Sequence, residues 1–151
     1  VEYIPIGLAV AVRLRDGHAR DRVLQSVRDA LRDFLWPLSP GGSQGAGWPL
    51  DQAVIQQELE VVVARVRGIR VVRGVNLFTQ QNAKWAAVDA DPRTGVQRLA
   101  MRAWQLPELL AVVVDDSDDV ADDLNRATGL GSGLTPAAPS GIPIPVVPEV
   151  C

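Results

Sequence analysis

Four glycines in the stretch GGSQGAGWPL, residues 41–50, are spaced as in a loop that cradles phosphate. A loop of the G-x-x-x-x-G-K-[ST] kind works because backbone N–H groups hold the phosphates, a lysine reaches the β and γ oxygens, and a hydroxyl binds Mg²⁺. Gly42 and Gly47 keep the glycine interval, but Trp48-Pro49 stands where the lysine and hydroxyl should be. The loop also follows a helical pattern instead of a strand. A dinucleotide fingerprint fails in the same way, for want of the preceding strand and a later acidic partner. No nucleotide, and no other cofactor, is expected, and the glycines read as the means of turning a corner.

The remaining chemistry-bearing residues are few. His18, the only histidine, has no nucleophile pattern beside it and reads as an exposed residue at a helix start. The run Asp115, Asp116, Asp118, Asp119, Asp122, Asp123 lacks the glycine and the distal glutamate of a calcium loop, so it reads as a solvated linker or helix-start cluster. Asp89 and Asp91 belong to the turn DADPRTG, whose Asp-Pro and Thr-Gly chemistry accounts for them. Trp36, Trp48, Trp85 and Trp104 read as core or interface residues. Cys151 is the single cysteine, which excludes an internal disulfide and a Cys/His zinc cage built from this chain alone. No catalytic set and no metal site can be assembled, and the chain reads as a non-enzyme.

Composition narrows the classes further. A chain of 151 residues suffices for one core, since a domain of this size buries roughly 70% of the surface exposed by its unfolded chain. With 47% hydrophobic and 22% charged residues it sits near globular averages, which argues against disorder throughout. The formal charge of −3 is uneven: residues 1–75 hold ten arginines against eight acids, and the rest five bases against ten acids. A sequence pI of 5.1 argues against a nucleic-acid partner. No apolar run reaches the length of a membrane span and no secretory leader opens the chain, so neither membrane insertion nor export is expected.

The elements that would position these residues follow from periodicity. Ile6, Leu8, Val10, Val12 and Leu14 alternate with small or polar residues, the period of a half-buried strand over Tyr3–Arg15. Asp16-Gly17 turns the chain into a helix over about 18–36, whose stripe is Val23, Leu24, Val27, Ala30, Leu31, Phe34 and Leu35 and which Trp36-Pro37 stops. A second helix begins between Asp51 and Gln57, buries Ile55, Leu59, Val62, Val63 and Val66, and ends at Gly68. Ile69 to Phe78 reads as a strand with a bulge or close approach at Gly74, residues 83–103 as a hairpin about DADPRTG, and Leu109–Val114 as a last strand. The fold class expected is α+β: two helices on a mostly antiparallel sheet, with residues 1–114 as the domain. Residues 115–151 are then an acidic linker and an extended Pro/Gly-rich arm. The arm's Ile142, Ile144, Val146 and Val147 read equally as partner-docking residues and as part of a plain spacer.

Around the glycine loop the residues form an ordered series: Phe34-Leu35-Trp36-Pro37-Leu38, Gly41-Gly42, Gly47-Trp48-Pro49-Leu50, Glu58-Leu59, Gly68-Ile69 and Gln105-Leu106-Pro107-Glu108-Leu109-Leu110. Over residues 3–114 this series resembles the C-terminal region of baseplate J-like proteins, components of contractile phage tails and extracellular contractile injection systems. Where that family carries Phe-Gly after Trp-Pro, this chain carries Leu50-Asp51; the family's serine at the second helix start is Gln57, and its Glu-Leu-Pro becomes Leu-Pro-Glu. The resemblance implies a structural wedge subunit in a sixfold assembly, contacting other wedge proteins, sheath, hub and spike, and a second copy of itself. It also implies assembly in the bacterial cytoplasm within a tail-like particle. Since the match is to a C-terminal region and the chain opens at Val1, a longer product is implied. In this reading Trp36, Pro37, Gly41, Gly42, Gly47, Trp48 and Pro49 form a structural loop, Trp48 folding back to fix how the helices meet and Pro49 setting the entry to the second helix. A different class of function, a regulatory domain binding a small molecule or peptide on a ferredoxin-like sandwich, remains the alternative.

Overall fold

The computed structural model describes residues 1–127. The chain runs β1 (Glu2–Leu14), α1 (Arg20–Phe34), β2 (Val54–Ile55), α2 (Gln56–Ala64), β3 (Ile69–Gln81), β4 (Lys84–Ala87), β5 (Arg98–Leu99), β6 (Gln105–Asp115) and α3 (Leu124–Ala127). Four strands form one sheet in the order β4-β3-β1-β6, and β2 pairs with β5 as a separate ribbon. The β4–β3 and β3–β1 pairs are antiparallel and β1–β6 is parallel, so the fold is α+β with a mostly antiparallel sheet. Its main-sheet order, β-α-α-β-β-β, is not the β-α-β-β-α-β of a ferredoxin-like sandwich.

Strand β1 is central, and its period-two pattern has a reason on each face. Ile6, Leu8, Val10 and Val12 share one core with Val23, Leu24, Val27 and Leu31 of α1, Leu59 and Val63 of α2, and Val75 and Leu77 of β3. Each such large side chain contributes about 1.5–3 kcal/mol on burial. The intervening residues are small because the opposite face is also covered. Ala9 packs with Phe78, Trp85 and Leu124, while a methyl group on Gly7 would collide with the Leu124 side chain and lie 3.2 Å from the Trp85 ring.

That second layer corrects the expected linker. Residues 115–127 lie partly on the sheet, with Val120 and Ala121 packed against this cluster and Leu124 fully buried in it. Two apolar residues and one leucine among six aspartates suffice, because they meet a face that β1 keeps shallow.

The expected hairpin over 83–103 is also corrected. A tight reversal does occur, but at Asn82-Ala83, where both residues have positive φ (52° and 65°), the geometry of a two-residue hairpin turn joining β3 to β4. The DPRTG turn makes a single bridge, Ala90 to Gln97, after which β5 leaves to pair with β2. Gly74 lies beside a bulge: Ala11 opposes Gly74 while Val12 opposes Val72, so Arg73 is the extra residue. Gly68 does not end α2 as expected: the helix stops at Ala64 with Arg65 as its C-cap, and Gly68, with φ 98°, lies in the turn that leads from it into β3. Pro49 does not lead directly into α2, since a turn at Leu50-Asp51 and the short β2 intervene.

Candidate functional site

The loop between α1 and β2 is built by hydrogen bonds to itself. Helix α1 runs out at Phe34, and the Leu35 and Trp36 N–H groups donate back to Leu31 and Asp33. The chain then doubles over: Gly41 N–H donates to Leu38 O (2.8 Å), Gly42 to Phe34 O (2.7 Å), Gly47 to Gly41 O (2.7 Å) and Trp48 to Trp36 O (2.9 Å). The glycine amides that a phosphate would require are therefore already donated inward. Strands of backbone pass so closely that only glycine fits. A Cβ on Gly41 would overlap Trp36 O, and one on Gly47, at φ 102°, would overlap Pro37 O.

Trp48 anchors the exit of this turn. It is 4% exposed within the helix-side core, and its ring meets Phe34 edge-on at 5.3 Å and 80°. Its indole N–H donates to Gln52 O at 3.3 Å, tying the end of α1 to the segment that enters β2 and α2. Immediately beyond, Asp51 has φ 64°. Trp36, by contrast, is 51% exposed, and Pro37 is half-buried beside it. The loop residues are thus brought together in one turn, with Trp48 inward and Trp36 outward. The proposed docking residues Ile142, Ile144, Val146 and Val147 lie outside the described residues.

The other candidates are dispersed. His18 is exposed, with Nδ1 near Gly68. Asp118 bridges Arg13 (2.8 Å) and Arg73 (3.6 Å). Asp123 accepts from the Asn125 and Arg126 N–H groups at the start of α3. Asp91 accepts from the Arg93 N–H and so closes its turn, as expected. Trp85 is buried, and Trp104 is 52% exposed with the Arg102 guanidinium 5.8 Å from its ring centre. A polar cleft of about 680 Å³ gathers Arg13, Arg15, Arg70 and Arg73 with Asp16 and Asp116. Asp118 is clamped on two of these arginines, Arg13 and Arg73, while Arg15 and Arg70 make no ion pair among the described residues.

Three features were not anticipated. Gln97, 7% exposed, places its side-chain amide where β3 and β4 diverge: Oε1 accepts from Leu77 N–H (2.7 Å) and Nε2 donates to Val88 O and Asn76 Oδ1 (both 2.8 Å). Gln56 completes the network, accepting from Gln97 N–H at 2.8 Å and donating to Val75 O at 2.6 Å. Asn125 pairs with the backbone of Trp85 on β4. Finally, an apolar groove of about 350 Å³ runs between Tyr3, Trp36, Pro37, Pro107 and Leu110, at the outer edge of β6. No local pattern marks Gln97, Asn125 or the groove, whose walls come from residues as far apart in the chain as Tyr3, Trp36 and Pro107.

No family model matches the chain, and no curated protein matches it. Among the described residues no helix is long and apolar enough to cross a membrane.

Proposed function

We propose that this chain is a structural wedge subunit of a contractile tail-like baseplate, acting through protein–protein contacts rather than catalysis. The observation that carries the reading is Asp51. The resembling family has glycine at this place in its Gly-Trp-Pro-Phe-Gly loop, and Asp51 adopts φ 64°, the left-handed conformation that favours glycine. The motif and the backbone it requires therefore coincide, in a loop whose amides are spent on its own carbonyls and whose tryptophan is a core anchor.

Such a loop supports a mechanical role. It braces α1 against the segment leading to α2, giving a rigid body whose surface carries exposed Tyr3, Trp36, Leu38 and Leu110 for neighbours. Wedge subunits of this kind hold sheath, hub and spike in the extended state and re-pack when triggered, a change of interface rather than a reaction. The neighbours are other wedge proteins, the sheath, the hub and spike, and a second copy of the chain, assembled in the bacterial cytoplasm within a tail-like particle.

The test is to tag the native gene product, purify tail-like particles from its host and examine them by electron microscopy. The tagged chain is expected to co-purify with sheath at the baseplate end, and its deletion to leave particles without intact baseplates. Normal particles after deletion, or a tagged chain that stays small and sheath-free, overturns the reading.

A further inference from the structure

The groove beside β6 has the chemistry of a proline-recognition surface. Trp36 and Tyr3 are each 51% exposed and Leu110 is 54% exposed, with Pro37 and Pro107 between them. Aromatic-lined grooves of this kind take segments in the polyproline II conformation, which pack apolar ridges without needing a hydrogen-bonded partner strand. A strand is a poor fit here. Pro107 has no N–H, and Leu110 is a bulge, since Ile6 opposes Leu109 while Gly7 opposes Ala111.

We propose that the occupant is residues 142–148 of this same chain, IPIPVVP. Pro143, Pro145 and Pro148 each fix φ near the polyproline II value, and Pro145-Val146-Val147-Pro148 is a Pro-x-x-Pro unit. At three residues per turn, Ile142, Pro145 and Pro148 would fall on one ridge, Pro143 and Val146 on a second and Ile144 and Val147 on the third, so every ridge the unit could present is apolar. The only charged residue in 128–151 is Glu149, immediately after this unit. Arg32 and Glu108 both line the groove and, among the described residues, neither has an ion-pair partner, so Glu149 is drawn to the arginine and kept from the glutamate. The Arg32–Glu149 pair then sets the direction in which the arm lies.

Reach permits the match. The roughly fifteen residues from Ala127 to Ile142 span up to about 50 Å when extended. The sheet they must cross, from β4 beside α3 to the β6 edge, is about 15 Å wide at ~4.8 Å per strand. The segment can therefore seat in its own groove or in that of an adjacent copy.

The lone Cys151 offers a test in the full-length chain. A nitroxide attached there is expected to erase most of the Trp36 indole N–H resonance while sparing that of Trp85. Ile144→Asp with Val147→Asp should restore the signal. Arg32→Glu and Glu149→Arg should each restore it in part, and together should return the broadening. A mixture of isotope-labelled, spin-free chain with spin-labelled, isotope-free chain separates the two arrangements: broadening there identifies a neighbour's arm, and its loss identifies the chain's own, either of which supports the proposal. A Trp36 resonance indifferent to the label, or broadened equally in the aspartate variant, overturns it.

Discussion

The side-chain amide of Asn125 is bonded at both ends to the backbone of Trp85, accepting from its N–H at 2.7 Å and donating to its C=O at 2.8 Å. Asparagine here does what a neighbouring strand would do, occupying the outer edge of β4 with one residue. It also fastens α3 directly over the face where Leu124 is buried and where β1 carries only Gly7, Ala9 and Ala11. The small residues of the central strand and the segment after β6 are therefore two halves of one packing arrangement.

Asn125→Ala leaves both Trp85 backbone groups in a part-buried place without these partners. The expected loss is about 1–3 kcal/mol in urea denaturation. Limited proteolysis should accelerate between β6 and α3 while the remainder of the chain resists. A variant with unchanged stability and unchanged cleavage would show that the layer is held by Leu124 alone.

Gln97 is the stronger test of the buried polar network. Gln97→Ala removes the acceptor for Leu77 N–H and the donor to Val88 O, with an expected cost of about 2–3 kcal/mol. Gln97→Glu makes the effect depend on pH. A carboxylate cannot donate to the Asn76, Leu77 and Val88 oxygens, so folding favours the protonated acid and raises its pKa above that of the unfolded chain. The folded variant then binds more protons than the unfolded one. Its stability is fully present below the unfolded pKa and is lost as pH rises through the folded value. Denaturation compared at acid and neutral pH should show the variant losing ground to wild type on going to neutral; a parallel pair of curves contradicts the network.

How far these relationships could be read from residues alone depended on their range. The stripe of α1, the alternation of Ile6 to Val12 and the turn around Asp91 are local and periodic, and each was legible. The inward Trp48 was expected only through the resemblance, since on residue type alone it reads like Trp36, which is half-exposed. Asn82-Ala83 was not, since the tight turn lacks the Asn-Gly signal and uses an alanine at φ 65°. Gln97 was hidden because its partners lie up to 41 positions away, and β1–β6 pairing joins Glu2 to Gln105. Leu124 was masked by the aspartates around it, of which Asp115, Asp118, Asp119 and Asp122 are exposed while Asp116 and Asp123 are half-buried.

Ala83 and Asp51 hold backbone conformations that suit glycine better. An L-residue in the left-handed region costs roughly 1–2 kcal/mol, offset in part by the extra freedom glycine gives the unfolded chain. Ala83→Gly is expected to stabilise the chain by about 0.5–1 kcal/mol. Asp51→Gly should stabilise it by less, since aspartate tolerates positive φ better than alanine does. Ala83→Val should destabilise the β3–β4 turn. Thermal unfolding orders the three; a loss of stability in both glycine variants would mean that these side chains contribute more than their strain.

Trp48 and Trp36 stand at opposite ends of one hydrogen bond, Trp48 N–H to Trp36 O, yet should differ sharply on truncation. Trp48→Ala opens a cavity beside Phe34 and removes the tie to Gln52, an expected cost of about 3–5 kcal/mol. Trp48→Phe keeps most of the apolar contact and loses the indole bond, so it should fall well short of that. Trp36→Ala removes a ring that the body of the domain leaves half-exposed and should cost well below the loss from Trp48→Ala. Gly47→Ala strains φ 102° and drives a methyl group into Pro37 O, and should disrupt the loop although it deletes nothing. If urea denaturation gave Trp36→Ala the larger effect, the brace between the helices would run through the outer tryptophan, and the loop would have to be re-read as an open contact surface rather than a closed corner.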